Sequence, residues 1–509
     1  VNTFVMALGS ASVSTTLGAI YAWFVVRTDV PGKRILKMMT ALPLTLPFLV
    51  KAFAWIFLFS PSVGLVNLAF RQVFGLESIF NIYSMWGMVF ALGVGGLPLT
   101  YLTIEPAMAS LDPALEEASR VAGEGLPKTF LKVTLPVVLP AILSSFLLLI
   151  IMGLENFDCP FLLGGRRGIN TLATEVYFWI NEAQPPRYAT AAILSLIYIA
   201  LTLSAFTLYI WITRKTYKFV VVTGKAKLTV HKLRKWKYTA FIVCFFMLFF
   251  AFILPFSTIV LMSLTTFFTV AGGSLVTRFT LENYVSALTM PLFYEAFRNS
   301  IIMGLVSAVI ATILAAFLSY ASLKSKVRGA RLIEYISSIP LAVPGIVYGL
   351  ALFWMFLLLP GISDVLYGTV WPLVIALIFI RLPHCVKMVS ANLIQIGDEM
   401  EESSRICGGS WARTFMKITL PLLKGGLANS FLYTFINSLR EMGSIVLLVT
   451  ADSMVLIILL LNLYTQHPFA LNIVAATAVM LCLLLMAALA TSHALQRLSA
   501  RRKTIKSIF

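Results

Sequence analysis

Charge is scarce in this chain: Asp, Glu, Lys and Arg make up 12% of the 509 residues, against 59% hydrophobic, whereas soluble domains carry about a quarter charged residues. Such a shortage excludes a fold solvated by water on all sides. Acidic residues are the scarcer half, 21 against 39 basic, giving a formal net charge of +18. That surplus would suit a nucleic-acid surface, but the Lys and Arg residues gather in short loops between apolar runs, as membrane topology and anionic lipid require, so no nucleic-acid partner is expected. The five cysteines (Cys159, Cys244, Cys385, Cys407, Cys482) form no C-x-x-C pair and are read as small apolar packing residues. The four histidines, His231, His384, His467 and His493, lie on different loops or spans, which offers no local metal site and places each at a surface or interface. No G-x-x-x-x-G-K-[ST] occurs, so a nucleotide site of that signature is absent from this chain. The first apolar run lacks the basic leader and small-residue cleavage site of a signal peptide.

What is present is a series of apolar runs, each near the roughly 20 residues needed to cross a bilayer. Eleven are expected, at 4–26, 36–59, 82–104, 137–154, 189–212, 238–264, 301–321, 332–359, 367–389, 427–449 and 469–489. Alternate loops are basic: Arg27, Lys33 and Arg34; Lys128 and Lys132; the run 214–237; Lys324, Lys326, Arg328 and Arg331; Arg413 and Lys417; and the tail Arg501, Arg502 and Lys503. Threading eleven spans puts all of these on one side, which retained basic residues mark as cytoplasmic. The C-terminus is then cytoplasmic. The N-terminus falls outside, at a span edge without an initiator Met, so one span is expected to be missing in front of Val1.

The chain matches itself. Residues 116–123, EEASRVAG, recur as 401–408, EESSRICG, and residues 129–136, TFLKVTLP, as 414–421, TFMKITLP. Upstream, Leu42–Pro47 answers Ile339–Pro344, and Asn2 answers Asn299. The span at 238–264 has no partner ahead of Val1, in agreement with a missing first span. Six spans per unit is an even number, so both copies enter the membrane in the same sense and the pseudo-two-fold axis runs along the membrane normal. The expected organisation is an all-α polytopic membrane protein of two parallel repeats: 1–213, a basic cytoplasmic linker at 214–237, and 238–509.

The repeated segments, 112–136 and 397–421, read as pairs of short helices meeting at an angle on the cytoplasmic side. In the first, Asp112 caps a helix whose first residue is Pro113, with Glu116 and Glu117 toward its positive end and Arg120 toward its negative end. Gly123 ends that helix, Pro127 starts the next and Pro136 closes the segment. The pattern Glu117-Ala118-Ser119, Gly123, Val133 and Leu135-Pro136, repeated as Glu402-Ser403-Ser404, Gly408, Ile418 and Leu420-Pro421, resembles the cytoplasmic signature of permeases in binding-protein-dependent ABC importers. Serine stands for alanine at three of the signature positions, a small-for-small departure. The resemblance implies a type I importer fold, docking of each segment into a cleft on one of two ATPase subunits, and delivery of cargo by a periplasmic binding protein. It also implies the bacterial inner membrane, no catalytic residue or cofactor on this chain, and ATP with magnesium on the partners. By position, Glu116, Glu117, Arg120, Gly123, Glu401, Glu402, Arg405 and Gly408 inherit the coupling role.

The fused arrangement, together with residues 154–165, LENFDCPFLLGG, and 172–177, LATEVY, is similar to the ferric-iron importers. Importers of thiamine, polyamines, phosphonates and sugar phosphates are related, and an ion-driven carrier with parallel repeats would also explain the spans, though not the duplicated loop. Ionisable residues inside spans are costly and mark functional positions. Glu155 and Asp158 end the fourth span, and Arg440 with Glu441 lies at nearly the equivalent place in the tenth, as pathway residues or, for Arg440 and Glu441, as an ion pair between helices. Lys51 and Arg381 either snorkel or line the cavity.

Overall fold

The computed structural model describes residues 1–509 except 77–78, 217–229, 267–268, 272–273, 277, 326–328, 360, 362, 467–469 and 507–509. Lys326, Arg328, His467 and most of the linker 214–237 therefore lie outside the described residues. By internal contact the chain divides into two compact units, Val1–Asn283 and Tyr284–Phe509.

The first unit holds α1 (Asn2–Arg27), α2 (Lys33–Thr40), α3 (Phe48–Phe59), α4 (Leu65–Phe74), α5 (Met85–Ala109), α6 (Pro113–Val121), α7 (Leu126–Thr129), α8 (Leu135–Glu155), α9 (Leu172–Asn181), α10 (Tyr188–Thr216), α11 (Trp236–Leu248) and α12 (Leu254–Ser263). A two-stranded antiparallel hairpin, β1 (Thr269–Ala271) with β2 (Ser274–Val276), follows, the one departure from an all-helical fold among the described residues. α13 (Glu282–Thr289) leads into the second unit, whose elements are α14 (Pro291–Lys324), α15 (Ala330–Ser338), α16 (Gly345–Leu358), α17 (Ser363–Leu366), α18 (Trp371–Leu393), α19 (Glu399–Ile406), α20 (Trp411–Thr414), α21 (Leu420–Leu439), α22 (Leu456–Gln466) and α23 (Leu471–Lys506).

Ten of the eleven expected spans fall on helices, or bent helix pairs, long and apolar enough to cross a bilayer. Two of the ten are not straight. The helices over 33–59 bend by 97° and those over 335–358 by 104°, because the residue pairs Pro43/Pro47 and Pro340/Pro344 deny backbone donors at the break. The short arm before each break carries exposed apolar side chains, Ile35 and Met38 in one copy and Tyr335 and Ile336 in the other, as an amphipathic helix in the plane of the interface would. The eleventh expected span, 427–449, is cut short: α21 ends at Leu439 and 440–455 runs mainly as turns. α8 ends at Glu155, the position equivalent to Arg440, so both repeats leave the helix at one point.

Expected proline stops behave differently. Pro136 and Pro421 do not close their segments; a single π-turn, Phe130–Thr134 or Phe415–Thr419, carries each segment without interruption into the following span. Widening the turn to i→i−5 bonding makes room for a ring that would otherwise strike the preceding carbonyl. The span Trp236–Ser263 does the same at Phe249–Ile253, ahead of Pro255.

Close helix packing rests on small residues. α1 lies against α5 with the hydroxyls of Ser14 and Thr100 3.2 Å apart, and a Cβ added at Gly18 would stand 2.3 Å from the Thr100 Cβ. In the second unit α14, the counterpart of α1, meets α21 through Ser307 and Ser438, 3.2 Å apart. Gly18→Ala is expected to lower the melting temperature of detergent-solubilised protein, since overpacking costs about 1–3 kcal/mol; an unchanged melting curve would contradict so close an approach.

The sequence-repeat boundary and the boundary between compact units are different divisions. The span α11–α12, which the sequence reading assigns to the second repeat, packs in the first unit, where Ala240, Cys244 and Leu248 share a buried cluster with Tyr21, Val25, Leu36 and Tyr101.

Candidate functional site

The two repeated segments fold into equivalent elbows. In the first, Asp112 caps α6 by accepting from Ala114 N at 2.9 Å, as expected. Gly123 takes φ +85° and Gly408 φ +80°, a left-handed conformation that ends each short helix at no cost to glycine alone. The hydroxyls of Ser119 and Thr129 lie 3.1 Å apart across the first elbow, and those of Ser404 and Thr414 2.8 Å apart across the second. Each elbow is thereby locked at its hinge, and each runs rigidly into a span, α8 or α21.

The paired glutamates separate into two roles. Glu116 and Glu401 turn inward and are almost fully buried, whereas Glu117, Arg120, Gly123, Glu402, Arg405 and Gly408 are exposed. Thr134 Oγ1 donates to Glu116 Oε1 at 2.6 Å, and Thr419 Oγ1 to Glu401 Oε1 at 2.8 Å. The remaining partners differ. Glu116 also receives the Arg27 guanidinium and His231 Nε2, the latter at 2.9 Å. Glu401 receives the Tyr320 hydroxyl at 3.0 Å, with Arg405 3.9 Å away. Burial works against the charged form of Glu116, but hydrogen bonds from His231, Thr134 and Arg27 outweigh it and hold the carboxyl down at about 2. A group whose folded value is depressed stabilises the fold above its unfolded value and loses that stabilisation as pH falls. Stability is therefore expected not to vary with pH through Glu116 near neutrality, where its contribution is fully present, and to fall as pH drops from about 4.5 toward 2, a decline that Glu116→Gln removes; melting curves across that range measure it.

Arg27, His231 and Tyr320, braces of the buried glutamates, have no signal in the repeated motif. His231, expected at a surface or interface, is buried, and Cys407, expected to pack, is exposed beside Gly408. The elbows also present apolar side chains outward at equivalent places: Leu115 and Met400, Val121 and Ile406, Leu131 and Met416. Val121 is 89% and Ile406 86% exposed. The sequence held that signal, since each pair sits at the same separation as Glu116 and Glu401.

Among the candidate pathway residues, Glu155 and Asp158 flank the break after α8, both half-buried, beside a cluster in which the rings of Phe157, Phe161 and Tyr177 lie 5.2–5.4 Å apart. Glu441 pairs with Arg381 of α18, which also donates to the Asn437 carbonyl at 3.2 Å. α21 ends at Leu439, and Glu441 lies toward the start of α16, where a Cβ on Gly345 would stand 3.4 Å from its Oε1. A helix N-terminus favours a carboxylate. Lys51 is buried, its Nζ 5.0 Å from the centre of the Phe48 ring. Among the described residues no group of three or more His, Cys, Asp or Glu side chains could hold a metal ion.

Duplicated elbows, parallel repeats and broken helices define a transport permease of two fused halves. Residues 14–218 and 308–505 each match the family described as binding-protein-dependent transport system inner membrane component, and the chain belongs to that family. It is 30% identical over 452 residues to a Haemophilus influenzae protein named as a ferric transport system permease, covering 87% of this chain and 69% of that one. It is 28% identical to the ferric transport system permease protein of Actinobacillus pleuropneumoniae, covering 88% of this chain and 64% of the relative, so it spans about two thirds of the length of these proteins. One half alone is 30% identical over 203 residues to the molybdenum transport system permease protein of Escherichia coli, covering 40% of this chain and 86% of that one. The chain is a multi-pass inner-membrane permease, a non-enzymatic subunit of a transport system.

Proposed function

We propose that this chain forms the translocation pathway of an ATP-driven importer for ferric iron, and that its two elbows, 112–136 and 397–421, transmit the motion of two ATPase subunits to the spans. The observation that carries the coupling role is the pairing of a buried, hydrogen-bonded glutamate on the inner side of each elbow with exposed apolar side chains on its outer side. A rigid lever needs both: an anchor that does not slip and a face that a partner can grip. In this reading Glu117, Arg120, Gly123, Glu402, Arg405 and Gly408 face the ATPases, while Glu116 and Glu401 act from behind as anchors. ATP and magnesium belong to those partners, a periplasmic binding protein brings the cargo, and the C-terminus is cytoplasmic. Alternating access follows if ATP and loaded binding protein favour the outward-open and inward-open states differently.

Ferric iron is the favoured cargo because relatives named for ferric transport align along most of the chain, whereas the molybdenum relative aligns with one half. Carboxylates at Glu155, Asp158 and Glu441 are hard oxygen ligands of the kind a ferric ion takes. The test is ATP hydrolysis by the permease reconstituted in lipid with its ATPase and binding protein, with ferric iron, thiamine, a polyamine, a phosphonate or a sugar phosphate offered in turn. Stimulation by ferric iron alone supports the assignment; stimulation by one of the others reassigns the cargo. Transport without any ATPase subunit would replace the importer by an ion-driven carrier.

A further inference from the structure

The two elbows differ in what braces the buried glutamate, and one of those braces in the first elbow comes from the linker. In the second elbow the brace comes from an earlier span of its own repeat, α14: Tyr320 stands edge-on to Phe415 at 5.1 Å and its hydroxyl reaches Glu401. The equivalent side chain in the first elbow is Trp23, which stands edge-on to Phe130 at 5.4 Å. An imidazole supplies the bond that the tyrosine hydroxyl makes in the other copy. His231 Nε2 lies 2.9 Å from Glu116 Oε2, and because an ionised carboxylate only accepts, the histidine is the donor.

His231 is held there by a built contact. Its backbone N–H donates to the Arg27 carbonyl at 2.8 Å, its carbonyl accepts from Asp29 N at 3.0 Å, and Leu233 N donates to Asp29 Oδ1 at 2.7 Å. The chain then turns through Arg234 at φ +54° and enters α11 at Trp236. A non-glycine residue in that conformation persists where its surroundings over-determine it. Residues 231–233 thus form a strap laid along the end of α1, with the imidazole inserted beneath the first elbow and the first span of the second repeat at its far end.

We propose that His231 is a positioning residue for energy coupling, through which the linker ties the first elbow directly to α11–α12 as well as to α1. Among the described residues the glutamate of the second elbow has no such tie to a following span: it is held by Tyr320 of α14 and by Thr419 and Arg405 of its own segment. Fusion of the halves therefore builds a coupling element, and the two elbows are not interchangeable. This rests on the elbows being the coupling segments.

The test uses the full chain reconstituted with its ATPase and binding protein. His231→Phe keeps a ring of similar size and the backbone bridge but loses the donor; His231→Gln keeps a donor that reaches the same carboxylate oxygen. The Phe variant is expected to lower binding-protein-stimulated ATP hydrolysis about tenfold, on the scale of one hydrogen bond to a charged group, and the Gln variant to restore most of it at an unchanged melting temperature. Stimulation that survives His231→Phe overturns the proposal, as does a loss that His231→Gln fails to restore. A parallel variant with both elbow faces altered, Val121→Asp with Ile406→Asp, separates the two levels: if it too leaves stimulation intact, the coupling role of the elbows falls, and if it alone abolishes stimulation, only the role of His231 falls.

Discussion

Aspartate placed at both Val121 and Ile406 is expected to abolish stimulated ATP hydrolysis while the permease itself still inserts and folds. Both side chains are nearly fully exposed, and surface substitutions away from special features change stability by no more than about 0.5 kcal/mol. A partner that covers them would instead have to bury two carboxylates against apolar surface. At about 2 kcal/mol for each such anchor, with every 1.4 kcal/mol worth about tenfold, each ATPase, gripping one elbow, should bind roughly thirtyfold more weakly. Cys407, exposed beside Ile406, reports binding directly: in the natural sequence an ATPase partner should shield it from a maleimide, and in the double variant it should label freely. Unchanged shielding together with unchanged stimulation would mean that the ATPase grips another surface.

How much of this was legible in the sequence depended on whether the signal was local. Asp112, Pro113 and Gly123 announce a short capped helix because capping is decided within a few residues, and the structure follows that reading closely. The duplicated pattern located both elbows for the same reason. The braces did not announce themselves: Arg27 and His231 reach Glu116 from chain positions far removed from it, and no periodicity links them to it. Tyr320 was equally silent, since a tyrosine in an apolar span reads as packing. The prolines were harder to read. Pro136 suggested a stop, but a π-turn absorbs it, as another absorbs Pro421; Pro43 and Pro340 lie within expected spans and sit at near right-angle breaks. Whether a helix bends or widens at proline is settled by what packs around it, which sequence alone does not carry.

The largest effect on the second unit is expected at Arg381 and Glu441, and it discriminates packing from transport. Removing either partner strands a charge in a largely buried site, since Arg381 is 13% and Glu441 19% exposed; breaking such a pair costs about 3–5 kcal/mol, whereas replacing both partners by apolar residues is often neutral. Arg381→Met and Glu441→Leu made singly should each lower the melting temperature sharply, and together should recover most of it. Transport by the stable double variant is then the deciding measurement. If the pair only joins α18 to the turn after α21, cargo uptake should return along with stability. If Glu441, standing at the first residue of α16 beside a break in the helix, lines the route, uptake should stay lost although the fold is restored. The second outcome is the expected one, because irregular backbone and an ionisable pair at membrane depth are tolerated where they line a cavity or are buried in protein. A pair serving packing alone would be replaceable by apolar contact, and the site holds instead a carboxylate, a guanidinium, the Asn437 carbonyl that accepts from it and the N-terminus of a broken helix.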